Sequence, residues 1–206
     1  NMDVHNYHSL AKKFYSREGH TDTGIRDLLR ENVDFLFPIP FYDIIVIDEA
    51  QDMTKLYFQF LTKFIKDMPG NVAVQIMVLG DKMQGLYNFK GSDERFLTMA
   101  QQCWEKHNRL SSSKFIKCTL KTSYRITNEI ADFVNDVMLG EKRLLACRGG
   151  DTVRYIRKSL FNVQNIVIAT INNLIETQGA KYSDFFCLNA SVKNSHVIRQ
   201  IENVLA

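Results

Sequence analysis

The amino-acid sequence predicts an α/β fold in which parallel strands alternate with helices. Four consecutive β-branched residues at 44–47 predict a strand that is buried on both faces. A second apolar run, at 74–79, is followed by a glycine and an aspartate. Between the two runs, apolar residues recur at helical spacing over 54–66. This order of strand, helix and strand is typical of a parallel sheet.

The other elements follow from the same two periodicities, and proline and glycine mark their limits. Pro38 and Pro40 separate the first strand, expected at 43–48, from the helices before it, and Gly140 is expected to end an amphipathic helix at 123–139. In chain order, the remaining predicted elements are helices at 7–17, 26–35, 92–106, 123–139, 163–177 and 195–205, and strands at 115–120, 153–156 and 185–189.

Composition and charge set broad limits on the class of protein. A hydrophobic content of 45% is enough for a packed core, and a net charge of +3 permits contact with nucleic acid without arguing for it. The four cysteines lie far apart and predict reduced, mostly buried thiols in an intracellular protein. No apolar run approaches the roughly 20 residues that span a bilayer, and no signal peptide is expected. The chain is expected to open inside a longer sequence.

Two adjacent carboxylates, Asp48 and Glu49, follow the first predicted strand. Ligand sites of parallel α/β sheets lie at the carboxyl ends of the strands. In such a pair, the first carboxylate can hold Mg²⁺, and the second can orient or deprotonate a water molecule that attacks a phosphate. The alternative is structural, with Asp48 as the capping residue of a following helix. The pair by itself does not decide between the two interpretations.

The segment 80–91 follows the second predicted strand and carries a second group of polar residues. Asp81 adds a third carboxylate at a strand end, and Gln84 can sense a terminal phosphate or the attacking water. The segment ends in aromatic residues and a cation that suit a stacking platform for unpaired bases, namely Tyr87, Phe89 and Lys90. The alternative is a polar loop with two core aromatics.

Tyr124 and Arg125 form a third candidate group, at the start of the helix predicted at 123–139. A cation in the first turn of a helix interacts unfavourably with the helix dipole, so Arg125 is expected to face an external anion. Tyr124 offers a flat ring face for a purine. The alternative is that Arg125 pairs with a surface carboxylate of the same domain.

Together these segments resemble the UvrD/Rep/PcrA group of superfamily 1 DNA helicases. Residues 48–52 match the Walker B pattern Asp-Glu-x-Gln-Asp of that family, and residues 80–91 match its pattern Gly-Asp-x-x-Gln-x-Ile-Tyr-x-Phe/Trp-Arg-Gly at most positions. Residues 120–126 resemble its pattern Leu-x-x-Asn-Tyr-Arg-Ser. Residues 6–11 and 185–205 are similar to two further segments, one on each side of these motifs.

The resemblance implies a role for each candidate residue. Asp48 would hold Mg²⁺ through its water shell, Glu49 would be the catalytic base, and Gln84 would couple the γ-phosphate to the DNA track. Arg125 would be an arginine finger that reaches the γ-phosphate, and Tyr124 would stack on adenine. The path of the single strand would be lined by Tyr87, Phe89, Lys90, His8 and Tyr7.

The resemblance also implies a fold and an activity. Residues 1–117 would be the C-terminal part of one RecA-like P-loop NTPase lobe, and residues 118–206 the N-terminal part of a second. The parent protein would use ATP and Mg²⁺ to move 3′ to 5′ on single-stranded DNA and to unwind duplex junctions, with no membrane partner. Arg125 would face Glu49 across the nucleotide cleft. The alternatives are the helicase portion of a RecB/AddA-like nuclease–helicase and a non-catalytic, helicase-like DNA-binding scaffold.

The sequence departs from the family pattern in three respects. It contains no Gly-x-x-x-x-Gly-Lys-[Ser/Thr] segment, so these 206 residues are not expected to hydrolyse ATP by themselves. Lys90 replaces an arginine and loses its planar, bidentate geometry, while Ser123 and Ile126 replace an asparagine and a serine. Because the first sheet would be incomplete, some of its apolar surface is expected to be exposed. The oligomeric state and the pathway stay open.

Overall fold

The chain folds as two compact units, which are described here one at a time. In the computed structural model they are the N-terminal unit, Asn1–Cys118, and the C-terminal unit, Thr119–Ala206. The division lies next to the expected boundary at residue 118, while the assignment of the units to RecA-like lobes stays a prediction. The structure describes residues 2–70, 73–105, 114–157, 159, 162–189, 191 and 193–205.

In the described part of the N-terminal unit, two α-helices precede the first strand of a short parallel sheet, one lies between its two strands, and two follow the second strand. The helices are α1 (Tyr7–Phe14), α2 (Asp22–Arg30), α3 (Lys55–Asp67), α4 (Arg95–Thr98) and α5 (Ala100–Trp104), and the strands are β1 (Ile44–Ile47) and β2 (Gln75–Val78). Shorter 3₁₀ turns occupy Arg17–His20, Ala50–Asp52, Lys82–Gln84 and Asn88–Lys90.

Side-chain caps decide where these helices begin. The Thr54 hydroxyl accepts the N–H of Tyr57, so α3 begins within one residue of its predicted start. The Thr21 hydroxyl accepts the N–H of Gly24, so α2 begins at Asp22, four residues before the predicted start of the helix at 26–35. The prediction of that helix is correct in type and wrong in its bounds, because the capping signal at Thr21 was missed.

Two other predicted helices of this unit are shorter than expected. The helix expected at 7–17 ends as an α-helix at Phe14, and a 3₁₀ turn follows it. The helix expected at 92–106 is divided into α4 and α5, with Met99 between them outside helical geometry; residue 106 lies outside the described residues.

Strands β1 and β2 are parallel, with Ile44 opposite Gln75 and Ile47 opposite Val78. The core packs against one face of the pair, which includes the buried Ile47. On the other face, Ile44 and Val46 are 52% and 53% exposed. The prediction that β1 is buried on both faces is therefore wrong, because the described sheet has two strands and only one of its faces is covered. The expectation of exposed apolar sheet surface is confirmed.

Aromatic side chains dominate the core of the N-terminal unit. The Phe58 ring lies 4.6 Å from that of Trp104 and 4.8 Å from that of Phe96, measured between centroids. The Phe60 ring meets the Tyr15 ring edge to face at 5.8 Å. Burying one large apolar side chain contributes about 1.5 to 3 kcal/mol, so this cluster is a major source of the unit's stability.

The described part of the C-terminal unit contains three α-helices, a 3₁₀ turn at Tyr182–Asp184 and two very short strands. The helices and strands are α6 (Asn128–Phe133), α7 (Val163–Gln178), α8 (His196–Leu205), β3 (Thr122–Ser123) and β4 (Leu145–Ala146), and β3 pairs with β4 in parallel. Helix α6 continues as π-helical turns over Val134–Leu139 and ends at Gly140, which has the left-handed φ of 67° that glycine accepts readily. Gly140 was predicted to end this helix, and that prediction is confirmed.

Several predictions for the second half of the chain are wrong. The segments 115–120, 153–156 and 185–189 were expected to be strands, but the structure has them as irregular chain outside any helix or strand. An apolar run forms a strand only where a neighbouring strand accepts its hydrogen bonds. The helix expected from Ser123 begins at Asn128 instead, because the Thr127 hydroxyl accepts the N–H of Ile130.

The cysteines follow the sequence-based prediction only in part. All four cysteines are free thiols, as expected, but Cys118, Cys147 and Cys187 are exposed and Cys103 is only partly buried. The prediction of mostly buried thiols is therefore wrong. In the part of the chain that the structure describes, no helix has the length and apolar character needed to cross a membrane.

Candidate active site

The candidate site lies at the carboxyl ends of β1 and β2, where the two chains stay paired beyond the strands. The N–H of Leu79 donates to the Ile47 carbonyl at 2.8 Å, and the N–H of Ala50 donates to the Leu79 carbonyl at 2.9 Å. The chain segment between Ile47 and Ala50 therefore runs beside the segment that leads from β2 to Asp81. The sheet places Asp48 and Glu49 beside the start of the second polar motif.

Asp48 and Glu49 are both exposed, and the backbone between them turns sharply. Glu49 has φ 51° and ψ 42°, a left-handed conformation that costs a non-glycine residue about 1 kcal/mol. Its N–H donates to Asp48 Oδ1 at 2.9 Å, while no side chain caps the 3₁₀ turn that begins at Ala50. Asp48 therefore orients Glu49 and does not cap a helix. Such retained strain is typical of functional sites.

Gln51 connects this acidic turn to the second strand, although the sequence interpretation gave it no role. Gln51 is buried, with 1% of its surface exposed to solvent. Nε2 donates to Glu49 Oε2 at 2.6 Å, and Oε1 accepts the N–H of Asp81 at 3.0 Å. The sequence contained one indication of this role, because Gln51 lies close to the apolar residues Ala50 and Met53. An amide buried beside such residues requires hydrogen-bond partners.

Asp81 organises the turn that carries Gln84. Its Oδ1 accepts the N–H of Met83 at 3.0 Å, and its Oδ2 accepts Gln84 Nε2 at 3.2 Å. The Gln84 N–H also donates to the Asp81 carbonyl at 2.9 Å. Gln84 itself is exposed, so its amide is accessible to a ligand. Hydrogen bonds thus connect Glu49 to Gln84 through Gln51 and Asp81.

Tyr87, Phe89 and Lys90 form an exposed group just after this turn. The two rings lie 6.2 Å apart, and Lys90 Nζ lies 4.9 Å from the Tyr87 centroid and 5.7 Å from the Phe89 centroid. Phe89 is 79% exposed, so the interpretation of these residues as core aromatics is wrong. Exposed rings beside a cation offer both stacking and charge to a nucleic acid.

Tyr7 and His8 belong to a second cluster, on α1. The Tyr7 ring stacks on that of Tyr57 at 4.5 Å with the planes 8° apart. His8 Nε2 and the Tyr57 hydroxyl both hydrogen-bond to Asp22 Oδ1, at 2.9 Å and 2.8 Å. Burial raises the pKa of Tyr7 to about 12. The cluster holds both predicted DNA-binding side chains in fixed positions, and one face of the Tyr7 ring is covered by Tyr57.

Tyr124 and Arg125 lie in the C-terminal unit, in the segment between β3 and α6. The Ser123 hydroxyl accepts the N–H of Arg125 at 3.3 Å and that of Ile126 at 3.4 Å, which forms a local turn. The Arg148 guanidinium donates to the Arg125 carbonyl. Because α6 begins only at Asn128, Arg125 is not in the first turn of a helix, and the dipole argument for it is wrong. Both side chains are exposed, Tyr124 to 80%.

The paired carboxylates lie at the carboxyl end of a parallel strand, where α/β domains place their ligand sites, and hydrogen bonds connect them to a glutamine on the next loop. Comparison with protein families identifies the class of α/β domain more closely. Residues 28–104 match the family model of the UvrD/REP helicase N-terminal domain. Residues 28–104 are therefore similar to that domain, and the match supports a UvrD/Rep-type helicase fragment with an α/β helicase fold. A comparison with curated proteins found no match.

The matched segment covers only some of the candidate residues. Those inside residues 28–104 are Asp48, Glu49, Gln84, Tyr87, Phe89 and Lys90. Those outside it are Tyr7, His8, Tyr124 and Arg125. The individual roles of all these residues stay predictions, and the family match bears on the domain as a whole.

Proposed function

We propose that this chain is part of an ATP-dependent DNA helicase that couples ATP hydrolysis to 3′ to 5′ movement on single-stranded DNA and to duplex unwinding. The observation that carries the proposal is the hydrogen-bonded connection between Glu49 and Gln84. It lies inside the segment that matches the UvrD/REP helicase N-terminal domain. In this proposal the two units are parts of RecA-like lobes.

The acidic turn fits a magnesium–nucleotide complex. The described residues contain no group of three or more His, Cys, Asp or Glu side chains that could hold a metal ion. Mg²⁺ bound with a nucleotide needs only one or two carboxylates, because phosphates and water fill the other positions. Asp48 is exposed and fits that role. The ion, when bound, supplies positive charge to the phosphate oxygens.

Glu49 is the proposed general base for the attacking water. Glu49 is exposed, and its Oε2 accepts a hydrogen bond from the Gln51 amide. The carboxylate is therefore fixed in orientation and accessible to a water molecule. Gln84 is the proposed sensor of the γ-phosphate. Because Tyr87 and Phe89 follow Gln84 by a few residues, a displacement of the Gln84 turn would move the proposed DNA-contacting rings as well.

The proposed DNA contacts come from Tyr87, Phe89 and Lys90, with Tyr7 and His8 as a second group. Stacking of a base on an aromatic side chain is worth about 1 to 3 kcal/mol and tolerates any base, which suits a translocating protein. Tyr124 is proposed to stack on adenine, and Arg125 is proposed to neutralise charge that develops on the γ-phosphate. The exposure of both side chains supports these roles.

A non-catalytic DNA-binding scaffold is the second candidate. The observation in its favour is that these 206 residues contain no Gly-x-x-x-x-Gly-Lys-[Ser/Thr] segment to cradle phosphates. The two candidates agree on DNA binding and differ on ATP turnover, so an ATPase measurement separates them.

The test is the ATPase rate of the full gene product with and without single-stranded DNA. We expect DNA-stimulated hydrolysis that falls by about 10² to 10⁴ in Glu49→Gln, because the base is lost. Glu105→Gln, which changes another exposed carboxylate of the N-terminal unit, is the matched control and should keep the wild-type rate. The 206-residue chain alone is expected to show no DNA-stimulated turnover.

A full gene product that binds single-stranded DNA but shows no ATP turnover would favour the scaffold. An enzyme that keeps its rate in Glu49→Gln would contradict the assignment of the base.

A further inference from the structure

We propose that Gln51 is a positioning residue that holds the Glu49 carboxylate in its reactive orientation and connects it to the turn carrying Gln84. The inference rests on the proposed function, since it names how one side chain outside the predicted site supports the reaction. Gln51 does not touch the ligand in this proposal. It acts through Glu49 on one side and through Asp81 on the other.

The first support is the direction of the two hydrogen bonds of the Gln51 amide. Nε2 points to the Glu49 carboxylate, which can only accept, and Oε1 points to the Asp81 N–H, which can only donate. A rotated amide would set its oxygen against the carboxylate and its NH₂ against the N–H. One orientation alone satisfies both neighbours, so the contacts define the orientation of the amide.

The second support is the space that surrounds the amide. A Cβ atom at Gly80 would lie 2.4 Å from Gln51 Oε1 and 3.2 Å from the Ala50 nitrogen. Glycine at this position therefore allows the amide oxygen to reach the Asp81 N–H. Since the φ of Gly80 is not in the left-handed region, its backbone does not require glycine. The close approach of Gln51 Oε1 does, and Leu97 Cδ2, at 3.1 Å from the same Cβ position, leaves little further room.

The third support is the continuity of the contacts toward Gln84. The N–H that Gln51 accepts belongs to Asp81, whose carboxylate in turn accepts from Met83 and Gln84. A movement of the Gln84 turn would displace the Asp81 N–H and change the support of Glu49. The geometry thus provides a physical route by which occupation of the γ-phosphate position could change the orientation of the base.

A glutamine is the residue type that this position needs. A glutamate would set a second carboxylate against that of Glu49 and would remove the donor. An alanine would remove both hydrogen bonds and leave the Asp81 N–H without its acceptor. The alanine substitution therefore frees Glu49 without adding a charge beside it, whereas the glutamate substitution also adds a like charge.

The experiment measures kcat and KM for ATP, with and without single-stranded DNA, in the full gene product. For Gln51→Ala and Gln51→Glu we expect kcat to fall by about 10- to 100-fold, because a misplaced catalytic group costs up to about that factor. KM for ATP should change by less than about twofold, since Gln51 supports a group used in the transition state. Gln59→Ala, an exposed glutamine on α3, is the matched control.

A double-mutant cycle tests the specific contact. Gly80→Ala should reproduce the kcat loss of Gln51→Ala, because the added methyl group displaces the amide. In the Gln51→Ala background, Gly80→Ala should lower kcat by less than it does alone, because the amide that it displaces is already gone and only the contacts with Leu97 and the Ala50 nitrogen remain. Additive losses in the double variant would overturn the inference.

The remaining outcomes are also decisive. Trp104 is the single tryptophan of the 206-residue chain and is buried, so the emission of that chain, measured with the same Gln51 substitutions, reports folding of the N-terminal unit. Unfolded emission in both Gln51 variants would make Gln51 a structural residue and overturn the inference. A wild-type protein without ATPase activity would overturn the proposed function itself. An active wild type whose Gln51 variants keep its kcat would overturn the inference alone.

Discussion

The two units of the chain differ in what holds their described residues together. In the N-terminal unit, aromatic and aliphatic side chains from α1, α2, α3, α5 and β1 form one buried cluster. In the described part of the C-terminal unit, the buried hydrophobic residues are Ala131, Ile171 and Ile201, and buried polar side chains such as Asn135 contribute as well. The first unit is stabilised chiefly by hydrophobic burial, and the second depends more on local hydrogen bonds.

This difference matters for the candidate site. Glu49, Gln51 and Asp81 lie on segments that leave a sheet anchored in the aromatic core, so their geometry is defined by packing. Tyr124 and Arg125 lie on an exposed segment that a local turn and the Arg148 guanidinium hold. The packing of the core therefore constrains the acidic turn, whereas local hydrogen bonds constrain the segment that carries Arg125.

The largest expected effect tests the hydrophobic side of the comparison. Phe60→Ala should lower the free energy of unfolding of the N-terminal unit by about 3 to 5 kcal/mol, because it leaves a cavity in the aromatic core. Phe60 is fully buried and meets the Tyr15 ring. Urea unfolding followed by Trp104 emission measures the change. Phe89→Ala, at an exposed phenylalanine, is the control and should change it by less than about 0.5 kcal/mol.

Equal losses in Phe60→Ala and Phe89→Ala would show that the aromatic cluster does not dominate stability, and the comparison between the units would fail.

The next effect tests the polar side of the comparison. Asn135 Nδ2 donates to the Leu144 carbonyl at 2.8 Å, and Oδ1 accepts the N–H groups of Arg143 and Leu144 at 3.0 Å and 2.9 Å. Asn135→Ala leaves these groups without that partner and should cost about 2 to 3 kcal/mol. Hydrogen exchange should increase over residues 128–146 and stay unchanged in α3.

Asn172→Ala, on the exposed side of α7, is the control for that experiment, and its exchange should match the wild type or be slower. Unchanged exchange in Asn135→Ala would mean that hydrophobic burial also governs the C-terminal unit.

The same difference explains where the sequence predicted the fold. In the N-terminal unit, the bounds that apolar periodicity predicts for α3 and for both strands lie within one residue of the observed ones. A large core stabilises elements that present one apolar face to it. In the C-terminal unit, the expected strands at 153–156 and 185–189 have no sheet partner among the described residues, and the helix begins five residues later than Ser123. Periodicity cannot show which of two hydroxyl residues, Ser123 or Thr127, caps a helix.

The candidate site was predictable in part for a related reason. Asp48, Glu49 and Asp81 were each expected at a strand end, and parallel strands end at one edge of a sheet. Gln51 was not expected to contribute, since its role depends on a contact between residues 30 positions apart. Likewise, the exposure of Phe89 follows from the surrounding turn and not from its own residue type.

The smallest expected effect compares one hydrogen bond of the N-terminal unit with the packing of its aromatic core. The buried Tyr15 hydroxyl donates to Asp67 Oδ2 at 2.9 Å, and Lys63 lies 2.9 Å from the same oxygen. Tyr15→Phe removes the hydroxyl and keeps the ring, so the loss should be about 1 to 1.5 kcal/mol, well below that of Phe60→Ala. Tyr42→Phe, whose hydroxyl donates to the exposed Asp3, should cost less.

The pH dependence of this loss identifies its cause. Burial, together with the hydrogen bond to Asp67, raises the pKa of Tyr15 above the ordinary tyrosine value of 10.0. A raised pKa means that the contribution is fully present below pH 10.0 and declines as the unfolded chain ionises above it. The difference between wild type and Tyr15→Phe, measured by urea unfolding, should therefore be constant from pH 7 to 9 and shrink above pH 10. A difference that vanished already at pH 8 would show that the hydroxyl is not held by Asp67 and that ring packing alone acts there.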